Sequence, residues 1–507
     1  MPAPSKGDVL AGVTVALLLI PQSLGLATIA GLPPEQGIYA AALAPLVTAF
    51  TSSSPYLQAG PTAMTSLLTL GALTAVAVPF TPGYVKLAAL LALVVGVTRI
   101  AIGALRGGTV SYLMSQPVVA GFTAAAGILI VCSQVPAMLG VPGDPGSPVG
   151  SAVEALTHPG AWELSAVAMS AAAFALILGG RLLHPLFPGV LLATIGAIVV
   201  SEAVGYTGAT VGDIPSGFPP LSADLPWGSI GSLLIPGAVI ALVGFAEPAA
   251  IARHYATQER GLWDPNREFV SQGLANIATG LGSAYPVGGS FSRSALNKLA
   301  GAQTRWSSVV VALAVLAFLP FMGALAPLPT AVLAATVVAA VLSLLDPRPL
   351  VEFYRLARVQ FLVAAGTFVA TLATAPHVER GVIVGIVLAV VAHLWREIRL
   401  NVQTWVEDAT LHVHPRGVLY YASAPSLEDT VGRLLHEHKD ATRLVVHLDG
   451  LGRIDLTGAL SLRDLLADAK EAGLEVRVVD VPLQAAKVVE RTLTDDVPVT
   501  FLDQRLI

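Results

Sequence analysis

Apolar segments of membrane-spanning length follow one another through the first 403 residues of the chain. A helix needs about 20 apolar residues to cross a bilayer, and fewer where it stops inside a protein-lined cavity. Cutting the sequence at Pro, Gly and charge clusters predicts fourteen spans, at residues 8–29, 36–50, 61–78, 84–103, 112–136, 162–180, 186–204, 228–254, 267–282, 290–302, 306–324, 328–345, 358–375 and 379–400. The sequence therefore predicts an α-helical, multi-pass protein of the cell membrane.

Charged residues are distributed unevenly and separate two domains. Residues 1–403 contain 17 Lys and Arg and 16 Asp and Glu, about 8% of the segment, whereas residues 404–507 contain 11 and 17, about 27%. The second value is typical of a soluble domain. We therefore predict a transmembrane domain over 1–403 and a small cytoplasmic domain over 404–507. This composition disfavours a nucleic-acid-binding surface, so we expect no nucleic acid partner.

The positions of Lys and Arg predict the orientation in the membrane, because these residues concentrate in cytoplasmic loops. If the N-terminus is cytoplasmic and all fourteen spans are present, the predicted outside loops contain only Lys86 and Arg380. The predicted inside loops then contain Arg99, Arg106, Arg181, Arg253, Arg260, Arg267, Lys298, Arg305, Arg348, Arg355, Arg358, Arg396 and Arg399. We therefore expect an even number of spans with the N- and C-termini in the cytoplasm.

Two similar Gly- and Pro-rich segments occur at corresponding places in the two halves of the membrane domain. Residues 58–66 lead into the short third span, and residues 285–294 lead into the short tenth span. Upstream of each, spans 1 and 8 carry a proline in mid-helix, Pro21 and Pro248. Seven spans separate the copies, so the second is inserted upside down relative to the first. Matching short helices of this kind are typical of transporters built from inverted repeats.

A helix that begins inside the membrane leaves its first N–H groups without intrahelical acceptors. Two such starts that face each other bring unpaired donors and two positive dipole ends to one point, which favours an anion. Arg293 adds a full positive charge there. Hydroxyl groups are supplied by Thr62, Thr65, Ser290, Ser292 and Ser294. The alternative is that small and hydroxyl residues only allow close helix packing. Their occurrence in both halves, with an arginine in one, favours a binding site.

These segments resemble the SulP family of anion transporters, the sulfate permeases and their animal relatives. The similarity is carried by residues 7–12, 20–23, 30–34, 37–39, 60–63 and 292–297, and it covers essentially the whole chain. It implies a seven-plus-seven inverted repeat, shared with nucleobase permeases and bicarbonate exchangers. Spans 1–4 and 8–11 would form a core domain, and spans 5–7 and 12–14 a gate domain. Family relatives commonly work by an elevator-like motion of the core against the gate, and commonly as homodimers.

The resemblance also implies a substrate site between the starts of spans 3 and 10, beside span 1. The positions that match are Gln22, Leu26, Gly60, Pro61, Thr62, Gly289, Ser290, Phe291, Ser292 and Arg293. Family members carry sulfate, bicarbonate, chloride or C4-dicarboxylates such as fumarate, and no residue in this sequence identifies the substrate. We favour a carboxylate or dicarboxylate, with bicarbonate and sulfate as open alternatives.

Glu247 lies within an apolar run of span 8. A carboxylate in such a position is costly and usually functional, most often as a cation or proton site. Sodium-coupled family members tend to have small hydroxyl neighbours at this position, whereas Ala246 and Pro248 flank Glu247 here. We therefore predict proton coupling at Glu247; the alternative is a structural Glu paired with Arg293. Glu35, just outside span 1, is a second candidate for protonation.

From residue 406 the pattern changes to alternating strands and amphipathic helices, which predicts a small mixed sheet covered by helices. Strands are predicted at 417–422, 443–448, 475–481 and 499–502, and helices at 425–438, 458–472 and 483–491. Residues 455–458 resemble a loop of STAS domains, the fold of anti-sigma-factor antagonists. In that family a Ser or Thr of this loop can be phosphorylated, and Thr457 is the matching regulatory position. We favour a simpler role for Asp455 or Thr457 as a helix N-cap, and expect the domain to tune transport, trafficking or assembly.

The ten histidines show no metal-ligand spacing, and the sequence contains no nucleophile elbow, phosphate-binding loop or zinc signature. We therefore expect no enzyme activity, no metal and no cofactor. The leading hypothesis is a proton-coupled secondary transporter of a small anion in the lipid bilayer. One alternative is a passive anion channel or exchanger, which does not need Glu247. Another is a membrane-tethered signalling protein whose STAS-like domain is the output.

Overall fold

The computed structural model describes residues 3–112, 115–184, 186–398, 400–493 and 497–501. The chain divides into two compact units, Met1–Ala389 and Val390–Ile507. Helices dominate the first unit, and the described part of the second contains a six-stranded sheet.

The helices that precede this sheet account for all the predicted spans. They are α1 (Lys6–Ile29), α2 (Pro34–Thr51), α3 (Ala63–Thr74), α4 (Pro82–Ala104), α5 (Gln116–Leu139), α6 (Pro148–Thr157), α7 (Leu164–Leu183), α8 (Gly189–Val204), α9 (Ile230–Gln258), α10 (Pro265–Leu281), α11 (Phe291–Leu299), α12 (Trp306–Phe318), α13 (Thr330–Val341), α14 (Arg348–Leu356), α15 (Arg358–Ala373) and α16 (Val378–Glu397). Within the described residues, eight helical segments are long and apolar enough to cross a membrane, and α3, α8 and α15 are shorter apolar helices.

Each of the fourteen predicted spans coincides with one of these helices, and α6 and α14 lie outside them. Both additional helices are short and expose apolar side chains beside charged ones, such as Val153 beside Glu154 on α6 and Val351 beside Glu352 on α14. Parts of two predicted spans, residues 113–114 and Arg399, lie outside the described residues.

Two short strands inside the helical unit create the starts of α3 and α11. Strands β1 (Ala59–Gly60) and β2 (Gly288–Gly289) pair antiparallel, with Ala59 opposite Gly289 and Gly60 opposite Gly288. Gly60 has a φ of +153°, which side chains of L-residues rarely adopt. A Cβ on Gly289 would lie only 2.6 Å from Leu57 Cδ1. The two Gly-rich segments thus pair with each other, as expected for matching segments of an inverted repeat.

Polar side chains from α4 and α10 hold this strand pair in place. Asn276 on α10 receives a hydrogen bond from Val287 N (3.0 Å) and donates one to Val287 O (3.1 Å), as a neighbouring strand would. Arg99 on α4 donates to the carbonyls of Val287 (2.9 Å) and Ala241 (3.1 Å). The placement of Arg99 in a cytoplasmic loop was therefore wrong. This side chain is 0% exposed within α4, because backbone carbonyls replace the water around its guanidinium group.

The described residues of the second unit form a mixed sheet with three helices. Its described elements are β3 (Asn401–Glu407), β4 (Thr410–Leu419), α17 (Ala424–Glu437), β5 (Arg443–His447), β6 (Leu451–Ile454), α18 (Leu456–Glu471), β7 (Glu475–Val481), α19 (Leu483–Thr492) and β8 (Val499–Phe501). The strand order is β3-β4-β5-β7-β8, and β6 pairs with the end of β4. β3 and β4 are antiparallel, and the other pairs are parallel.

The first predicted strand of this unit, at 417–422, was placed several residues too late in the sequence. β4 begins at Thr410 and ends at Leu419, and it forms a hairpin with β3 that the sequence pattern did not predict. The hairpin turn has Asp408 at φ +46° and Ala409 at φ +59°, where glycine or asparagine is the usual signal. Of the last predicted strand, residues 499–501 form β8, and Leu502 lies outside the described residues.

Candidate functional site

A small cavity of about 80 Å³ lies where the starts of α3 and α11 face α1 and α13. Its size suits a small anion and is well below that of sites for large organic ligands. Eight of the predicted site residues line this cavity: Gln22, Leu26, Thr62, Glu247, Ser290, Phe291, Ser292 and Arg293. Residues at the starts of α3 and α11 and residues of α1 and α9 therefore meet at one place.

The side chain of Arg293 is the cation of this cavity. It is 2% exposed, and its Nε and Nη2 atoms have no hydrogen-bond partner among the described residues. These two atoms form one planar edge of the guanidinium group, which matches the two oxygens of a carboxylate or a similar oxyanion. A Cβ at Gly60 would lie 3.4 Å from Nη2, so glycine leaves that edge open.

Backbone N–H groups at the two helix starts are further donors at the cavity. The Thr62 hydroxyl caps α3 by accepting from Thr65 N (3.2 Å). In the described part of the chain, the amides of Ala63 and Met64 at α3, and of Ser292 at α11, have no acceptor. The positive ends of two helix dipoles accompany these donors. The arrangement provides polar N–H groups for an anion at the cavity.

Glu247 caps the start of α11. Its Oε1 accepts a hydrogen bond from Phe291 N at 2.8 Å. Among the described residues Glu247 and Arg293 form no hydrogen bond with each other, so a structural pairing of the two would rest on charge alone. Glu247 and Arg293 nevertheless line the same cavity, so the charge of one affects an anion held by the other. Glu35 lies in the first turn of α2 and does not line the cavity.

Three predicted site residues, Gly60, Pro61 and Gly289, do not line the cavity. The two glycines instead form the strand pair that positions both helix starts. Sequence reasoning missed the opposite wall of the cavity. That wall is formed by Val337, Ala340, Val341, Ser343 and Leu344. Small and apolar residues of this kind have no sequence signal that distinguishes them from ordinary helix packing.

Two larger cavities lie on opposite sides of the small one. A cavity of about 440 Å³ shares Ser292, Ala340 and Ser343 with it and reaches Thr14 and Arg181. The other, of about 520 Å³, lies near the ends of α1 and α5 and the start of α13, and it shares no lining residue with the small cavity. The candidate site therefore borders the cavity of about 440 Å³ and has no lining residue in common with the other.

In the second unit, the predicted regulatory loop forms the start of α18. Asp455 is the N-cap, and its Oδ1 accepts from Gly458 N at 2.7 Å. Thr457 lies in the first turn and is exposed. The capping role therefore belongs to Asp455, and the Thr457 hydroxyl is accessible to solvent.

Comparisons with known proteins give matches for both parts of the chain. A model of the Sulfate permease family matches residues 6–367, and a STAS domain model matches residues 401–505. A Mycobacterium tuberculosis (strain CDC 1551 / Oshkosh) protein named "Probable sulfate transporter" is 35% identical over 398 residues, covering 76% of this chain and 69% of the relative.

Solved structures show the same fold. The murine Slc26a9 anion transporter in its inward-facing state gives a TM-score of 0.87 at 20% identity, covering 97% of this chain and 88% of that one. The transmembrane domain of a cyanobacterium bicarbonate transporter, BicA, gives a TM-score of 0.64 at 22% identity, covering 76% of this chain and 97% of that one.

The fold, the opposed helix starts and the cationic cavity define a multi-pass membrane transporter of anions rather than an enzyme. The chain belongs to the sulfate permease family, SulP, and its C-terminal unit is a STAS domain. The predicted resemblance and the predicted fold class are thereby confirmed.

Proposed function

We propose that this chain is a secondary active transporter that moves a small anion together with a proton, with Arg293 holding the anion and Glu247 the proton. One observation carries the proposal: a buried guanidinium with two unpartnered nitrogens lines the same 80 Å³ cavity as a carboxylate. A buried cation with unused donors is costly unless an anion comes to it. Intramembrane acids beside such sites commonly serve as proton carriers.

The charge balance of the cavity gives the sign of the coupling. Each helix start contributes about half a positive charge, and Arg293 contributes one more. If Glu247 is ionised, it cancels Arg293, and about one positive charge remains for the anion. Protonation of Glu247 raises this to about two. A dianion is then bound best together with a proton, and by linkage each strengthens the binding of the other.

A C4-dicarboxylate such as fumarate is our first candidate substrate. The free Nε–Nη2 edge of Arg293 suits bidentate binding of one carboxylate. The unpaired amides at the start of α3, which also lines the cavity, suit the second. Sulfate, also a dianion, is the second candidate, favoured by the name of the M. tuberculosis relative. Bicarbonate is the third, favoured by the name of the cyanobacterial structure.

We further propose that a core of spans 1–4 and 8–11 moves against a gate of spans 5–7 and 12–14 as an elevator. In support, all three cavities lie along the seam between these two sets of helices. The core side is contributed by α1, α3, α9 and α11, and the gate side by α5, α7, α8 and α13. With cytoplasmic termini, which we also propose, the 440 Å³ cavity opens to the cytoplasm. A homodimer is part of the same proposal.

Uptake into proteoliposomes tests the proposal. Labelled fumarate, sulfate and bicarbonate are offered with an inward proton gradient, an inward sodium gradient or no gradient. We expect one dianion to accumulate with the proton gradient only. Flux that ignores both gradients would favour the passive channel or exchanger. Absence of flux for every anion, with anion binding retained, would favour the signalling protein.

A further inference from the structure

Histidine and aspartate side chains converge at one end of the STAS-domain sheet. His447, Asp449 and Asp480 place one potential ligand atom each within 4.8 Å of one another. His447 Nδ1 lies 3.2 Å from Asp480 Oδ2, and Nε2 of the same ring lies 3.1 Å from His412 Nδ1. His414 Nε2 lies 3.1 Å from Asp449 Oδ1. The geometry points to a binding site for a divalent transition-metal ion at His447, Asp449 and Asp480.

The strand register explains why these residues meet although they are far apart in sequence. His412 on β4 is opposite Val445 on β5, and His447 at the end of β5 is opposite Val479 on β7. Side chains alternate between the two faces of a strand. The hydrophobic core takes the face that includes Leu411, Val413, Leu444 and Val446. The histidines therefore share the opposite face, which is partly exposed.

One separation between donor atoms has the value expected for a tetrahedral metal site, and the ligand atoms of all three residues lie within 4.8 Å of one another. With metal–ligand bonds of about 2.0–2.1 Å, neighbouring ligand atoms of a tetrahedral zinc ion lie about 3.3 Å apart. The 3.2 Å separation of His447 Nδ1 and Asp480 Oδ2 is close to that value. If His447 uses Nδ1, its other ring nitrogen is left to hydrogen-bond His412, an orienting contact that metal-bound histidines usually have. Trp405 stacks on His412 at 4.9 Å and fixes that second ring.

Two features of the cluster favour an ion over a hydrogen-bond network alone. Two carboxylates, Asp449 and Asp480, approach within 4.8 Å, and their repulsion is relieved by a cation between them. His414 Nε2 is buried and forms no properly oriented hydrogen bond, although Asp449 is near. His414 is thus placed to complete or support the ligand set.

The donor set indicates the class of metal. Imidazole nitrogens with carboxylate oxygens suit Zn²⁺, Co²⁺, Ni²⁺ or Cu²⁺, whereas Mg²⁺ and Ca²⁺ prefer oxygen donors alone. The side chains of Asp449 and Asp480 are 42% and 47% exposed, so an ion reaches them from solvent. A bound ion would join the ends of β5 and β7 and stabilise the domain in proportion to its occupancy.

The test uses the full-length protein, purified without a histidine tag and stripped with a chelator. Zn²⁺ or Mg²⁺ is added, free ion is removed, and bound metal is counted by mass spectrometry alongside thermal unfolding. We expect one Zn²⁺ per chain, an increase in melting temperature with Zn²⁺ and neither effect with Mg²⁺. His447→Ala and the surface variant Asp449→Asn should weaken Zn²⁺ binding at least tenfold.

His436→Ala is the matched control, because His436 is an exposed histidine on α17 outside the cluster. It should bind Zn²⁺ as the wild type does. Binding that survives both His447→Ala and Asp449→Asn, or equal binding of Mg²⁺, would overturn the proposal. So would less than one Zn²⁺ per five chains in the folded wild type.

Discussion

Replacement of Arg293 by methionine removes the cation that lines the small cavity while keeping much of its volume. At about 4 Å, and with an effective dielectric constant near 20, a guanidinium and an anion attract by about 4 kcal/mol. An effective dielectric constant of about 40 would halve this value. We therefore expect anion binding to weaken by about 2–4 kcal/mol, which is about 30- to 700-fold in Kd.

The same substitution should have the opposite effect on the stability of the anion-free protein. Arg293 is 2% exposed, and its Nε and Nη2 atoms are unpartnered. A buried polar group without a partner costs about 1–3 kcal/mol. Arg293→Met should therefore unfold at an equal or higher temperature than the wild type when no anion is present. A structural arginine would give the reverse.

Equilibrium binding of the transported anion to detergent-solubilised protein measures the first effect, and thermal unfolding measures the second. Arg348→Met is the matched control, since the Arg348 side chain on α14 is 91% exposed and lies outside the cavity. It should leave both quantities unchanged. Binding by Arg293→Met within threefold of the wild type would refute the assignment of Arg293.

Two further substitutions test the seam and the strand pair. A Cβ on Gly25 would lie 2.3 Å from Val337 Cγ2, so Gly25→Val should overpack α1 against α13 by about 1–3 kcal/mol and slow turnover about 5- to 150-fold, with KM changed little. Unchanged initial rates of uptake would show that this contact is not part of the cycle. Asn276→Ala removes both hydrogen bonds to Val287 and should lower the free energy of unfolding by about 1–3 kcal/mol, measured by chemical denaturation. An unaltered unfolding curve would contradict the bracing role.

The sequence predicts the helical architecture well because membrane helices must be apolar and their backbone must be satisfied internally. The starts of α3 and α11 were predictable from the Gly- and Pro-rich segments that lead into them. Glycine at positions 60 and 289 allows the two short strands to pair closely there. Once these starts were predicted, residues at them such as Thr62 and Arg293 were expected at the site, and both line the cavity.

Features that depend on long-range packing were not predictable. The wall formed by Val337 and Ala340 looks like any apolar helix until the fold places it opposite Arg293. Arg99 reads as a loop charge, because nothing local shows that Ala241 and Val287 will offer it their carbonyls. The histidine cluster was not predicted for a similar reason. A parallel sheet brings together residues that are more than thirty positions apart.

The measurement that tests the central claim most directly compares Glu247→Gln with the wild type in two transport modes. Counterflow exchanges labelled for unlabelled anion without a gradient, and concentrative uptake requires the proton gradient. Glutamine imitates the protonated carboxyl, so we expect counterflow within a few-fold of the wild type but no accumulation driven by protons. Glu352→Gln, at an exposed position on α14, serves as the control and should retain both modes. Proton-driven accumulation by Glu247→Gln at the wild-type level would contradict the assignment of Glu247 as the proton carrier.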